Sequence, residues 1–147
     1  MATTIVEFAI IGRPASVNPG KGSATRKKLW KALVHKEASS HYSGSPVCYE
    51  TTIKVFYFPH NGQYTDVDNG LKYTLDGIKN LVINDDKQVT RIIAERFLRA
   101  PGASLVVPLS AAAPVAGVLH AMELRPKKDY VTLIKLEKYE CNGGLLW

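Results

Sequence analysis

The chain has 147 residues, enough for one domain with a buried core, and 46% of them are hydrophobic. It carries 19 Lys and Arg against 13 Asp and Glu, a formal net charge of +6, and such an excess favours a polyanionic partner. No run approaches the roughly 20 apolar residues that span a bilayer, and the amino terminus lacks the basic segment of a signal peptide, so we expect no membrane partner.

The first half of the chain predicts a strand, a loop and a basic helix. Residues 4–12 indicate the strand, and the helix over 25–39 follows a loop rich in Pro, Gly, Ser and Asn. Ser23 or Thr25 can cap this helix. Its predicted apolar side consists of Leu29, Trp30, Leu33 and Val34. The loop is not a Walker loop, because the residue after Lys21 is neither Ser nor Thr, so no nucleotide cofactor is expected.

The second half predicts three strands and one helix. Residues 49–58 are rich in β-branched and aromatic side chains and form the clearest strand. A helix follows over 68–81, with a predicted core side of Leu71, Leu75, Ile78 and Val82. The remaining strands are predicted at 88–98 and 131–139. The order β-α-β-α-β-β predicts a single α/β (α+β mixed) domain over 1–147, with a mixed sheet of about four strands flanked by two main helices.

Two segments and two cysteines have no function that the sequence predicts. Residues 101–128, rich in Ala, Val and Pro, are a possible insertion, and residues 141–147 form a tail. Cys48 and Cys141 show neither metal spacing nor a disulfide framework, so we interpret them as free thiols of a cytoplasmic protein.

The most informative stretch is acidic, although the chain as a whole is basic. Its carboxylates are Asp66, Asp68, Asp76, Asp85 and Asp86. Carboxylates alone repel a phosphate, but carboxylates with Mg²⁺ bind one and can promote its hydrolysis. We therefore predict that the aspartates converge around a cation, with Lys72 stabilising charge on the phosphate. Each residue also has a purely structural alternative, as a helix cap, a surface ion pair or a turn residue.

The spaced pattern Asp-x-Asp-Asn-x-x-Lys-x-x-x-Asp, followed by Asp-Asp-x-Gln-Val, resembles that of the RusA-type Holliday junction resolvases. Here the pattern is formed by Asp66, Asp68, Asn69, Lys72, Asp76, Asp85, Asp86, Gln88 and Val89. The resemblance implies a homodimeric endodeoxyribonuclease, bacterial or phage-encoded, that binds four-way DNA junctions. Such enzymes use Mg²⁺ or Mn²⁺ and make paired symmetric nicks during recombination and repair.

The resemblance also implies roles for individual residues. The implied metal ligands are Asp66, Asp68 and Asp86, with Asp85 as an auxiliary ligand. Lys72 is the implied catalytic lysine, and Asn69 and Asp76 support the site. The predicted DNA contacts are the polar and aromatic side chains Arg13, Asn18, Lys21, Arg26, Lys27, Lys28 and Tyr64.

Two other functions stay open. The chain could be a nuclease acting on other branched DNA, or a catalytically silent DNA-binding module of the same fold. The complete carboxylate set with Lys72 argues against the silent module. Gly70 departs from expectation, because glycine within a helix costs up to about 1 kcal/mol relative to alanine.

Overall fold

The computed structural model describes residues 3–16, 20–59, 66–68, 70–97 and 130–141. In chain order the elements are β1 (Thr4–Ile11), α1 (Ser23–His41), β2 (Thr51–Phe58), α2 (Leu71–Ile78), a short 3₁₀ turn (Asp86–Gln88), β3 (Val89–Arg96) and β4 (Val131–Lys138). This order confirms the predicted alternation of strands and helices. Several predicted features lie outside the described residues: Asn18, Tyr64, Asn69, the possible insertion at 101–128, and 142–147 of the predicted tail.

The four strands form one mixed sheet in the order β1-β4-β2-β3. β4 pairs antiparallel with both β1 and β2, whereas β2 and β3 are parallel. A parallel pair needs a connection that returns to the starting end of the sheet, and α2 lies within that connection. The predicted mixed sheet with two helices is therefore confirmed, and the parallel pair fixes where the acidic residues lie.

Helix α1 packs on the sheet through a narrower stripe than the sequence predicts. Trp30, Val34 and Ala38 are buried at four-residue spacing, but the side chains of Leu29 and Leu33 are 60% and 40% exposed. The predicted side-chain cap is also wrong, because α1 begins after a glycine with φ of 73° and has no side-chain cap hydrogen bond. Two leucines predicted for the core therefore face solvent on a basic helix.

Helix α2 is shorter than predicted and begins three residues after Asp68. Gly70 is its N-cap, and a Cβ built there would lie 2.5 Å from Cβ of Pro14, so only glycine allows this contact. The predicted free-energy cost of a glycine within a helix is therefore wrong for Gly70, which lies before the first residue of α2. The buried side chains differ as well: Thr74 and Ile78 are buried, while Leu71 and Leu75 are only partly buried.

A second apolar cluster lies apart from the one that contacts the helices. Its members are Phe56, Phe58, Phe97, Val131 and Leu133. Cys48 and Cys141 are exposed free thiols. Among the described residues, no helix has the length and apolar character needed to cross a membrane.

Candidate active site

The first acidic group lies on the approach to α2. Asp66 and Asp68 are exposed, and the backbone carbonyl of Asp68 accepts a hydrogen bond of 3.3 Å from the backbone N–H of Leu71. The side chain of Asp68 makes no cap to α2, whose N-cap is Gly70. The alternative in which Asp68 serves only as a helix cap is therefore wrong. Because Asp68 precedes α2, its spacing to Lys72 is not the helical spacing that the sequence predicted.

A buried tyrosine hydroxyl lies beside this group. Tyr57 near the end of β2 is 0% exposed, and within the described part of the chain its hydroxyl has no hydrogen-bond partner. A Cβ built at Gly70 would lie 3.6 Å from that hydroxyl. Burial raises the pKa of Tyr57, and the neighbouring Tyr130 and Asp68 raise it further. Tyr57 is thus a neutral donor close to the carboxylate of Asp68, a role that its position in an apolar strand did not indicate.

Replacing Tyr57 with Phe tests whether this hydroxyl orients Asp68. We expect an unchanged or slightly higher free energy of unfolding, because an unpaired buried donor is removed. Cleavage should nevertheless slow by about 10-fold, the lower end of the usual effect of losing a partner of a metal ligand. Denaturant unfolding and single-turnover DNA cleavage measure the two effects. Equal cleavage rates for Tyr57→Phe and the parent protein would restrict this side chain to packing.

The second acidic group is held by the side-chain amide of Gln88. Its Oε1 accepts hydrogen bonds from the backbone N–H groups of Asn84 and Asp85, at 2.8 and 3.0 Å. Its Nε2 donates to the carbonyls of Val47 and Tyr49, at 2.8 and 3.0 Å. One side chain therefore ties the acidic turn to the segment that enters β2. The sequence motif contained Gln88 but gave no sign of this role.

The two carboxylates of this turn differ in their surroundings. Asp85 accepts a 3.0 Å hydrogen bond from the backbone N–H of Lys87, and its carboxylate lies 3.9 Å from Nζ of Lys79. The Lys87 N–H holds the pKa of Asp85 below its usual value, and the positive charges of Lys79 and Lys87 add to this effect. Asp86 is exposed. Asp85 therefore braces the turn, while Asp86 is directed to solvent.

Replacing Gln88 with Ala should loosen the turn that carries Asp86. Four hydrogen bonds are lost, so we expect a stability loss of about 1–3 kcal/mol together with slower cleavage. Gln88→Glu is the matched control, since it keeps both acceptor contacts and loses the two donated ones. Denaturant unfolding, and cleavage at a temperature where each variant is folded, separate the effects. Parent-like cleavage by Gln88→Ala would show that the amide does not position Asp86.

The two acidic groups lie at opposite ends of α2. Asp68 adjoins Tyr57 near the end of β2, whereas Val89, just after the acidic turn, is paired with Thr51 at the start of β2. Within the described residues, no three His, Cys, Asp or Glu side chains form a group that could hold a metal ion. The predicted convergence is therefore not found within one chain. The reason is topological, because the connection to a parallel strand must return to the starting end of the sheet.

The predicted DNA contacts that the structure describes gather near the Asp68 end. They lie in the loop after β1 and in the first turns of α1: Arg13, Lys21, Arg26, Lys27 and Lys28. The close approach of Pro14 to Gly70 joins this loop to the start of α2. The ammonium group of Lys27 also lies 5.4 Å from the ring centroid of Tyr73 on α2. A basic surface therefore adjoins the acidic group that contains Asp68.

Lys72 and Asp76 occupy different surroundings on α2. Lys72 is exposed in the first turn, close in sequence to Asp68. Asp76 lines a shallow depression with basic residues of both helices, namely Lys31, His35, Lys36 and Lys79. Asp76 is therefore placed among basic side chains, one of which, Lys79, also lies 3.9 Å from Asp85.

Comparison with known proteins identifies the family. Residues 12–108, well over half of the chain, match the family model described as endodeoxyribonuclease RusA. No curated protein matches the chain. The match includes both acidic groups, the loop after β1 and helix α1. The chain therefore belongs to the RusA endodeoxyribonuclease family, and the predicted class of enzyme, a DNA endonuclease, is confirmed at that level.

Proposed function

We propose that this protein is a divalent-metal-dependent resolvase of four-way DNA junctions that acts as a homodimer and nicks two strands symmetrically. The observation that carries the proposal is the family match over 12–108, because that range contains every proposed ligand and the basic surface beside Asp68. A nuclease for other branched DNA is the alternative. It shares the same family and differs only in substrate.

The donor chemistry suits a hard cation. Asp66, Asp68 and Asp86 are exposed carboxylates, and Mg²⁺ is commonly held by one or two carboxylates, substrate phosphate oxygens and waters. Such an ion supplies Lewis-acid activation of the phosphate and lowers the pKa of a bound water. In our proposal Asp66, Asp68 and Asp86 are its ligands, and Gln88 holds the turn that carries Asp86. The Tyr57 hydroxyl, unpaired among the described residues, is a nearby donor available to Asp68.

The separation of the ligands supports a dimer. Helix α2 has eight residues, so it spans about 12 Å at about 1.5 Å per residue. Each ligand of one Mg²⁺ must come within about 2.1 Å of the ion. Because Asp68 and Asp86 lie at opposite ends of α2, one chain with this topology cannot bring both carboxylates that close to a single ion. We infer that Asp66 and Asp68 of one subunit share an ion with Asp86 of the partner subunit.

The exposed edge of the sheet supports a way to build this dimer. Among the strands that the structure describes, β3 pairs only with β2, and its residues Thr90, Arg91 and Ile92 are exposed, Ile92 by 48%. An unpaired edge strand is a template for a second strand. Antiparallel pairing of two copies of β3 about a twofold axis brings the start of one strand beside the end of the other. The end of β3 adjoins Tyr57, since the N–H of Phe97 donates to the Tyr57 carbonyl at 2.9 Å.

The test of the function is incubation with a synthetic mobile four-way junction, with and without Mg²⁺. We expect paired nicks at symmetric positions in two opposite strands, and no cleavage when the metal is chelated. A flap, a forked duplex and a linear duplex of the same sequence serve as controls. Faster cleavage of the flap or fork than of the junction would favour the alternative substrate class.

Lys72→Ala tests the proposed role of the lysine in this site. In our proposal its ammonium group stabilises charge that develops on the phosphate, and losing one such donor typically slows the chemical step by about 100-fold or more. We expect that decrease in the single-turnover rate, with little change in the dissociation constant of the junction. Lys36→Ala is the matched control for loss of one exposed positive charge. An unchanged rate with weaker binding would make Lys72 an anchoring residue.

A further inference from the structure

A cavity of about 510 Å³ lies between the loop after β1 and helix α1. The side chains that matter for its chemistry are Arg13, Ser16, Arg26, Leu29, Trp30 and Leu33. Its volume is within the range of about 300–1,000 Å³ that is usual for pockets that hold small organic molecules. None of the assigned site residues except the two arginines lines it, and these were assigned only as members of a phosphate-contacting set.

One wall of the cavity is apolar and exposed. Leu29 and Leu33 are 60% and 40% exposed and lie four residues apart on α1, so they form one short apolar strip. Trp30 beside them is 2% exposed, and its indole N–H donates to the Thr74 hydroxyl at 3.0 Å. The polar edge of the indole is thereby satisfied within the protein. The strip offers a flat apolar ligand a surface with no competing donor from Trp30.

The rim of the cavity is cationic and partly fixed. Nη1 of Arg26 donates to the Lys21 carbonyl at 2.8 Å, and a Cβ built at Gly22 would lie 3.4 Å from the same atom. Arg13 lines the cavity as well. Among the described residues that line it, none is acidic. Two guanidinium groups at one opening suit a phosphate, which they bind with charge-assisted hydrogen bonds.

We propose that this cavity takes one unpaired DNA nucleotide, with its base against Leu29 and Leu33 and its phosphate between Arg13 and Arg26. Every base has an apolar face, and an apolar wall beside a cationic rim matches an unstacked nucleotide, whereas bases in intact duplex are already stacked and paired. The inference rests on the proposed action on branched DNA, where pairing is interrupted. The Pro14–Gly70 contact connects the cavity to the segment that carries Asp68.

The first experiment uses thymidine 3′,5′-bisphosphate as the probe, without metal and without a junction, so its outcome does not depend on cleavage. We expect the probe to shift the NMR signal of the Trp30 indole N–H. The double variant Leu29→Ala/Leu33→Ala and the variant Arg26→Ala should each bind about 10-fold more weakly, a loss of about 1.4 kcal/mol. Ile11→Ala, an exposed apolar residue on β1, and Lys36→Ala, an exposed cation on α1 that does not line the cavity, are the matched controls. Equal affinities for the double variant and Ile11→Ala would overturn the proposal.

The second experiment uses a four-way junction with 2-aminopurine next to the crossover, in Ca²⁺ to prevent cleavage. Binding of the parent protein should raise the fluorescence several-fold as the base leaves the stack, and the leucine double variant should bind with a smaller rise. No rise at any crossover position would contradict the inference, as would an equal rise with both proteins. A leucine double variant that sediments as a monomer beside a dimeric parent would instead make the strip a subunit interface and overturn the proposal.

Discussion

Asp86→Asn is expected to reduce nicking of a four-way junction by more than about 100-fold while leaving junction binding nearly unchanged. Loss of a residue that merely orients a metal ligand already costs about 10- to 100-fold, so loss of the ligand itself should cost more. The side chain is exposed and the replacement has the same shape, so the fold should be retained. Cleavage assays in Mg²⁺ and electrophoretic binding assays without it measure the two effects.

Asp76→Asn is the matched control for this variant. It removes one carboxylate from the same motif, but at a position lined by the basic side chains of Lys31, Lys36 and Lys79. We expect it to nick the junction at close to the parent rate. Full Mg²⁺-dependent cleavage by Asp86→Asn would remove Asp86 from the set of ligands and with it the proposed site.

Mixing two inactive variants should restore activity if the site is shared between subunits. In a dimer of Asp68→Asn with Asp86→Asn, both defects fall in one site and the other site is intact. Random exchange of subunits makes half of the dimers mixed, so the nicking rate should recover to about a quarter of the parent value. The products should be singly nicked junctions, because each mixed dimer has one working site.

A second mixture is the control for this experiment. Asp66 and Asp68 belong to the same acidic group, so mixing Asp66→Asn with Asp68→Asn leaves a defect in each shared site and should restore nothing. Denaturing gels of junctions labelled on each strand count the nicks. If neither mixture recovers nicking after verified subunit exchange, the carboxylates do not act across a dimer interface.

Much of the fold could be predicted from the sequence because its strands and helices have strong local signals. The β-branched and aromatic residues of 51–58 indicated β2, and the four-residue spacing of Trp30 and Val34 indicated the buried side of α1. The exposure of Leu29 and Leu33 could not be predicted, since hydrophobicity does not tell how far the sheet extends under a helix. The start of α2 after Gly70 depends on contact with Pro14, which is 56 positions away in sequence.

The sequence proposed the residues of the candidate site but not their arrangement. The resemblance to the RusA pattern implied Asp66, Asp68 and Asp86 as ligands, yet the sequence could not show that the two groups lie at opposite ends of a helix. That separation follows from β2 and β3 being parallel, a property of the whole sheet. Tyr57 and Gln88 could not be singled out, because a strand tyrosine and a turn glutamine look ordinary in sequence. Only the structure shows that the Tyr57 hydroxyl is buried and unpaired among the described residues, and that the Gln88 amide makes four hydrogen bonds.

The close packing of Gly70 against Pro14 limits how such a nuclease can diverge in evolution. No room exists for a methyl group between them, so the loop that bears Arg13 and the segment that bears Asp68 must shift as one unit. Substitutions that reshape the loop to fit another DNA structure would therefore also disturb the proposed active site. Selection for new substrates should therefore change the exposed surface of α1 before it changes the contact between Gly70 and Pro14.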